Sequence, residues 1–160
     1  MVTTQRLDYH SAFPDLIRPM RDLEETVRKS GLERPLLELV RMRVSQINRC
    51  AYCIDMHSKD ARAANESEQR LYALSAWREA PFFTHRERAA LEWAETLTRI
   101  AEEQVTDELY SRVRQEFSEE ELIALTLAIV AINGWNRFAI AFRSVPGSYR
   151  SRDDQESFTR

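Results

Sequence analysis

Two cysteines and a histidine stand close together in the segment Cys50-Ala51-Tyr52-Cys53-Ile54-Asp55-Met56-His57. On a helix, positions three, four and seven apart share one face, so this spacing gathers two thiols and an imidazole on one side of a single element. A helix that begins near Cys50 turns free backbone N–H groups and the positive end of its dipole toward the sulfur, which favours thiolate over thiol. Arg49 is expected to add to that field. His57, one turn beyond Cys53, is placed to take a thiol proton directly or through one water. The second thiol gives the pair a further use. A sulfenic acid formed on one sulfur is captured by the other as a disulfide with release of water, and an outside dithiol then resets the pair.

The same residue types serve other ends. Cys50, Cys53 and His57 would supply three tetrahedral zinc ligands with a fourth position open. A closed structural site needs a fourth ligand, and the chain has only these two cysteines. A permanent disulfide between them would close so short a loop that little unfolded-chain entropy is removed. Two inert buried thiols are a further alternative, since free cysteine is among the most buried residue types. Redox chemistry weighs above these three, which the sequence leaves open.

The elements that must hold the cluster read as helices. Apolar residues recur at spacings of three and four along nearly the whole chain, and strict alternation is scarce. Seven helices are expected. The first runs from Pro14 to Lys29 and stops at Ser30 and Gly31. The second starts near Pro35 and carries the apolar stripe Leu36, Leu37, Val40, Val44 and Ile47. After a break at Asn48 and Arg49, the third carries the cysteines to about Asn65. Ser67 caps a fourth through about Trp77, and Thr84 with Glu87 forms a capping box for a fifth that reaches about Ile100. Thr106 opens a short sixth. Ser118 with Glu121 opens the seventh, which is hydrophobic nearly all round from Leu122 to Phe142, suits a core or subunit interface, and is expected to end at Pro146 and Gly147. The chain therefore divides into a helical domain, 1–147, and a loose polar tail, 148–160.

Composition bounds the setting. A length of 160 residues suits one domain, and 43% hydrophobic with 31% charged residues describes an ordinary globular protein. Three glycines and five prolines are too few for a hairpin-rich sheet protein. Twenty-six acidic side chains interspersed among 23 basic ones give a net charge of −3, so no nucleic-acid footprint is present. The longest apolar run, Leu122 to Ile132, falls short of the roughly 20 residues that a membrane span needs. Met1 to His10 holds no apolar stretch of a secretory signal, so a cytoplasmic location is expected. In that reducing compartment, closely spaced cysteines are more often catalytic or metal-binding than a structural bridge.

Glu38 stands twelve positions before Cys50 and completes the pattern Glu-x11-Cys-x2-Cys-x3-His. This resembles the signature of the alkyl hydroperoxidase D family, within the carboxymuconolactone decarboxylase superfamily. The resemblance extends into Phe83-Thr84-His85-Arg86-Glu87-Arg88-Ala89-Ala90-Leu91 and Ala131-Ile132-Asn133-Gly134-Trp135-Asn136-Arg137, and covers about Leu16 to Arg143. It implies an all-α, compact bundle in which the cysteine helix packs against the second helix so that Glu38 faces it. It also implies a peroxidase that needs no metal, haem or flavin, and a homo-oligomer, commonly a trimer or hexamer. A hydroperoxide is the implied substrate, and a lipoyl group or a thioredoxin-like protein the implied dithiol reductant. The roles it implies are Cys53 peroxidatic, Cys50 resolving, His57 base and Glu38 proton-relay carboxylate.

Some members of the family carry a second histidine where this chain has Tyr52. A tyrosine is no base at neutral pH, although its hydroxyl can join a relay, so a slow peroxidase or a disulfide reductase is the expected consequence. Two rivals share the scaffold. One is a non-catalytic helical interaction protein. The other is a lactone decarboxylase, an activity of relatives without the cysteine pair. Among the remaining polar residues, Asn133, Trp135 and Asn136 are expected to be structural, His85 a surface residue at a helix start, and His10 without a role. Trp77, Phe82, Phe83 and Trp93 are expected in the core or at a subunit interface.

Overall fold

The computed structural model describes residues 4–151. Among these residues there are eight α-helices and no strand: α1 Tyr9–Ala12, α2 Pro14–Arg28, α3 Arg34–Ile47, α4 Ala51–Ala63, α5 Glu68–Ala73, α6 His85–Thr98, α7 Asp107–Glu116 and α8 Glu119–Phe142. The all-α expectation holds, and the capping signals are placed where the sequence puts them. Ser67, Thr84, Thr106 and Ser118 each accept the backbone N–H three residues on, and Glu87 and Glu121 complete their capping boxes. In the first half of the chain two details differ from expectation. The short α1 is an addition, and the expected fourth helix changes after Ala73 into a 3-10 turn, Leu74–Ala76.

Helix α3 is the centre of the molecule, packed on α4, α6 and α8. It is buried almost all round because it serves two cores. Leu37, Val40 and Val44 face α8 with Leu125, Ile129 and Ile132, and both cysteines belong to this cluster. Leu39 and Met42 face the other way, onto Ala61, Leu74, Trp77 and Leu91. Each fully buried aliphatic side chain here contributes about 1.5–3 kcal/mol relative to exposure. A buried ion network ties α3 to α6 as well: Glu95, 2% exposed, holds Arg43, Arg78 and the indole N–H of Trp77.

Helix α8 is 24 residues long. By length and composition it passes as a membrane span, which the shorter run Leu122–Ile132 did not predict. Its stripe Leu122, Leu125, Ile129, Ile132, Asn136 and Ala139 is buried against the other helices, while Ile123, Val130 and Ile140 point outward. Gly134 permits close packing of α2 on this helix: a Cβ there would meet the Met20 Cε at 2.8 Å.

Pro146 and Gly147 do not end α8. Arg143 does, in the left-handed conformation (φ 53°), with Ser144 N–H bonded to Ala139 O and Arg143 N–H to Ile140 O. These are the two bonds of a Schellman motif. Nor are residues 148–151 loose. Gly147 N–H donates to Asp55, Lys59 donates to Tyr149 O, and Tyr149 donates its hydroxyl to Asp60, so this segment straps across α4. The rest of the expected tail, 152–160, lies outside the described residues, as do positions 1–3 of the N-terminal segment.

Candidate active site

The turn between α3 and α4 places the first cysteine. Cys50 N–H bonds Ser45 O and Arg49 N–H bonds Gln46 O, again a Schellman pair, with Arg49 in the left-handed position at φ 57°. The chain therefore turns so tightly that Cys50, the residue after the turn, is already the N-cap of α4. The Cys50 sulfur takes the place of a capping oxygen and accepts the Cys53 N–H at 3.4 Å. Arg49 points its side chain into solvent.

Both cysteines are free and almost fully buried. Cys53 donates its S–H to Cys50. That bond, opposed by burial and helped by the N–H groups of Cys53 and Tyr52, lowers the pKa of Cys50. The same bond, burial and the charge on Cys50 push Cys53 up, against a hydrogen bond from Asn136. Of the two sulfurs, Cys50 is therefore the one that gives up its proton more readily.

His57, on the same helix, meets Glu38 of α3: Nδ1 lies 2.8 Å from Oε2. The other carboxylate oxygen accepts Nη1 of Arg41 at 2.6 Å, and Arg41 also pairs with Glu24 of α2. All of Glu38, Arg41 and His57 are buried. Burial pushes the Glu38 carboxyl up, but the imidazole and the guanidinium overcome it and hold the group at about 2. Glu38 is therefore an anion that only accepts. Nδ1 carries the proton in this bond, so in the neutral ring the lone pair is on Nε2. Nε2 is buried and finds no hydrogen-bond partner among the described residues.

A cleft of about 740 Å³ opens in front of this group, and Cys53, His57 and Glu38 line it while Cys50 does not. The four residues of the signature thus come together, with the cysteine helix facing Glu38 as the resemblance implies. Other residues of the cleft were not singled out in the sequence. Arg41 and Asp60 lie three positions after Glu38 and His57, a spacing that would have found them. Tyr9 and His10 arrive from α1, with His10 against Trp135, and Tyr149 arrives from the strap. Nothing local marks these three. His10 and Trp135, expected to be without a role and structural, are cleft walls. His85 is exposed at the start of α6, while Trp77, Phe83 and Trp93 are buried and Phe82 is 41% exposed.

The zinc set of Cys50, Cys53 and His57 is not the one that converges. Among the described residues, the potential ligand atoms within 4.8 Å of one another belong to Glu38, His57 and Asp60. Arg41 and the imidazole already engage Glu38, and Tyr149 engages Asp60. The guanidinium already balances the charge of Glu38, so the donor set fits a proton relay better than a cation.

Comparison with known proteins gives the arrangement a family. Residues 14–96 match the model of the carboxymuconolactone decarboxylase family. The uncharacterised protein YdfG of Bacillus subtilis is 46% identical over 138 residues, 86% of this chain and 94% of its own. A structure from Agrobacterium tumefaciens, of a protein of unknown function for which an antioxidant-defence role as an AhpD has been suggested, superposes with a TM-score of 0.87 at 42% identity, over 91% of this chain and all of that one. An uncharacterised peroxidase-related protein from Ralstonia eutropha, with an AhpD core, shares the fold at a TM-score of 0.77 and 19% identity, over 87% of this chain and 74% of that one. With Glu38, Cys53 and His57 gathered in one cleft and Cys50 behind them at the start of α4, the chain belongs to the carboxymuconolactone decarboxylase family and is an AhpD-like member of it.

Proposed function

We propose that the protein reduces organic hydroperoxides with its cysteine pair and is reset by an external dithiol. The observation that carries this reading is the His57–Glu38 bond, which leaves an unpartnered, buried Nε2 in the same cleft as Cys53. A base held in one tautomer beside a thiol is what activation of a buried sulfur requires.

The steps follow from the placement of the groups. Cys53, the cysteine of the pair that lines the cleft, gives its proton to His57 Nε2 through one water or a rotation of the thiol. The thiolate attacks the outer peroxide oxygen; the O–O bond breaks, an S–O bond forms, and the alkoxide takes the proton from His57 and leaves as the alcohol. Cys50, whose charge is stabilised at the N-terminus of α4, then attacks the Cys53 sulfur. The S–S bond forms and hydroxide departs, taking up a proton from solvent to give water and so balancing the proton that Cys50 released on ionising. Two electrons from a dithiol such as a lipoyl group or a thioredoxin-like protein restore both thiols.

Tyr52 is half-buried on the cleft wall with its pKa raised by burial, so it offers a hydroxyl rather than a base. Consumption of cumene hydroperoxide with dithiothreitol as reductant tests the reading. Wild type is expected to turn over and Cys53→Ser to be inactive; equal turnover by the two would overturn it.

A further inference from the structure

Helix α8 hides one side in the core and leaves the other uncovered, where Ile123 is 70% exposed and Val130, one heptad on, 55%. Leu127 and Gly134 continue this outward face, and the exposed Glu120 and Arg137 stand at its two ends. The positions 120, 123, 127, 130, 134 and 137 follow one another in steps of three, four, three, four and three. That is the spacing of a seam along which two helices pair. A groove of about 520 Å³ flanks the seam on the side of α6 and α7, walled by Trp93, Tyr110 and Leu122. It offers a small polar ligand little. Its Thr126 hydroxyl already donates to Leu122 O and accepts the Trp93 indole N–H, and Glu119 is the one charged residue of its lining.

The seam is complementary to itself. When two copies of α8 lie antiparallel about a two-fold axis passing between positions 128 and 129, Leu127 of each chain meets Val130 of the other. Ile123 then meets Gly134 with the Met20 that packs on it, and Glu120 meets Arg137, so every seam position is used. A parallel pair would instead set Glu120 on Glu120 and Arg137 on Arg137. Both charges are available for the cross-pair. Arg137 donates to Asn133 O of its own helix and meets no carboxylate among the described residues, and Glu120 meets no basic group there. We propose that α8 is a two-fold interface between copies of this chain, its outward faces packed antiparallel with Glu120 of each chain on Arg137 of the other. The aliphatic contacts carry the association, and the ion pairs at the rim set its direction. A closed two-fold contact gives an even number of chains, so of the trimer and the hexamer that the family resemblance implies, this face builds only the hexamer or a simple dimer. The inference does not depend on the peroxidase reading.

Analytical ultracentrifugation of the full chain over a range of concentrations tests this. Wild type is expected to assemble as an even number of chains. Val130→Glu, at a position the monomer's core does not use, buries an unpaired charge in the seam and is expected to raise the dissociation constant of the two-fold contact at least about tenfold. Glu120→Arg and Arg137→Glu, each alone, set like charges against one another and are expected to raise it by about threefold, while the double reversal restores it. Circular dichroism checks that the variants fold. Should Val130→Glu not fold, the exposed charge reversals decide. Wild type that stays monomeric, an odd number of chains, or an assembly indifferent to Val130→Glu overturns the proposal, as do charge reversals that fail to rescue one another. A monomer that floats with phosphatidylcholine vesicles would give the face to lipid and overturn it equally.

Discussion

Glu38 Oε2 and His57 Nδ1 are joined at 2.8 Å across two helices, and this one bond leaves Nε2 as the imidazole nitrogen without a partner among the described residues. Had the partner been a group able to donate, Nδ1 would take the lone pair and Nε2 the proton, and the histidine would meet Cys53 as a donor. Glu38→Gln makes that change at nearly constant volume. Hydroperoxide turnover is expected to fall at least about tenfold, by loss of the working tautomer. His57→Ala is expected to fall roughly a hundredfold or more, the usual contribution of a positioned base. Steady-state rates with dithiothreitol check both, and a Glu38→Gln rate equal to wild type would remove the relay from the account.

The same carboxylate gives the fold a pH signature. Held at about 2 against an ordinary value of 4.5, folded Glu38 binds its proton less readily than the unfolded chain does. Its contribution to stability is therefore complete above pH 4.5 and is lost as pH falls toward about 2. The expected outcome is a gap in urea midpoint between wild type and Glu38→Gln that is wide near pH 7 and narrows near about pH 3. A gap that does not change with pH would contradict it.

Arg41 bridges Glu38 and Glu24, and its side chain is 8% exposed. Removing one partner of a buried ion pair leaves an uncompensated charge, so Arg41→Met is expected to cost about 3–5 kcal/mol in urea denaturation. Because Glu38 then loses a stabilising neighbour, the double variant Arg41→Met, Glu38→Gln should be less destabilised than the two single losses added together. Simple additivity would show that the contact carries no coupling.

The strap is held to the cleft by Tyr149, whose hydroxyl lies 2.8 Å from Asp60 Oδ1 and 2.9 Å from Oδ2. Tyr149→Phe removes a hydrogen bond to a carboxyl that burial already pushes up. A loss of about 1–2 kcal/mol is expected, with faster amide exchange concentrated in residues 145–151. Unchanged exchange there would show that the backbone bonds to Asp55 and Lys59 hold the strap alone.

How far the sequence reaches can be judged residue by residue. Ser67, Thr84, Thr106 and Ser118 announce their helices because a cap is a local hydrogen bond between neighbours in sequence. Cys50, Cys53 and His57 are legible for the same reason, since helix periodicity alone sets their common face. Glu38 needed the family pattern, because its meeting with His57 is a tertiary contact between helices. The end of α8 was misplaced because Arg143 pays for a left-handed conformation that glycine adopts freely, and a rule that looks for Gly147 misses it. Tyr9, His10 and Tyr149 reach the cleft from the two ends of the chain, and no periodicity encodes that. Asn136 reads as structural, as buried amides usually are, and it is bonded to Asn48 and Ser45.

The most direct test of the central claim is mass spectrometry of the reduced protein after one equivalent of an organic hydroperoxide, in wild type and in Cys50→Ser. The account predicts that wild type loses two hydrogens as the Cys50–Cys53 disulfide closes, and that the variant gains one oxygen as a sulfenic acid trapped on Cys53. Both masses unchanged, or the oxygen found elsewhere than on Cys53, would contradict it.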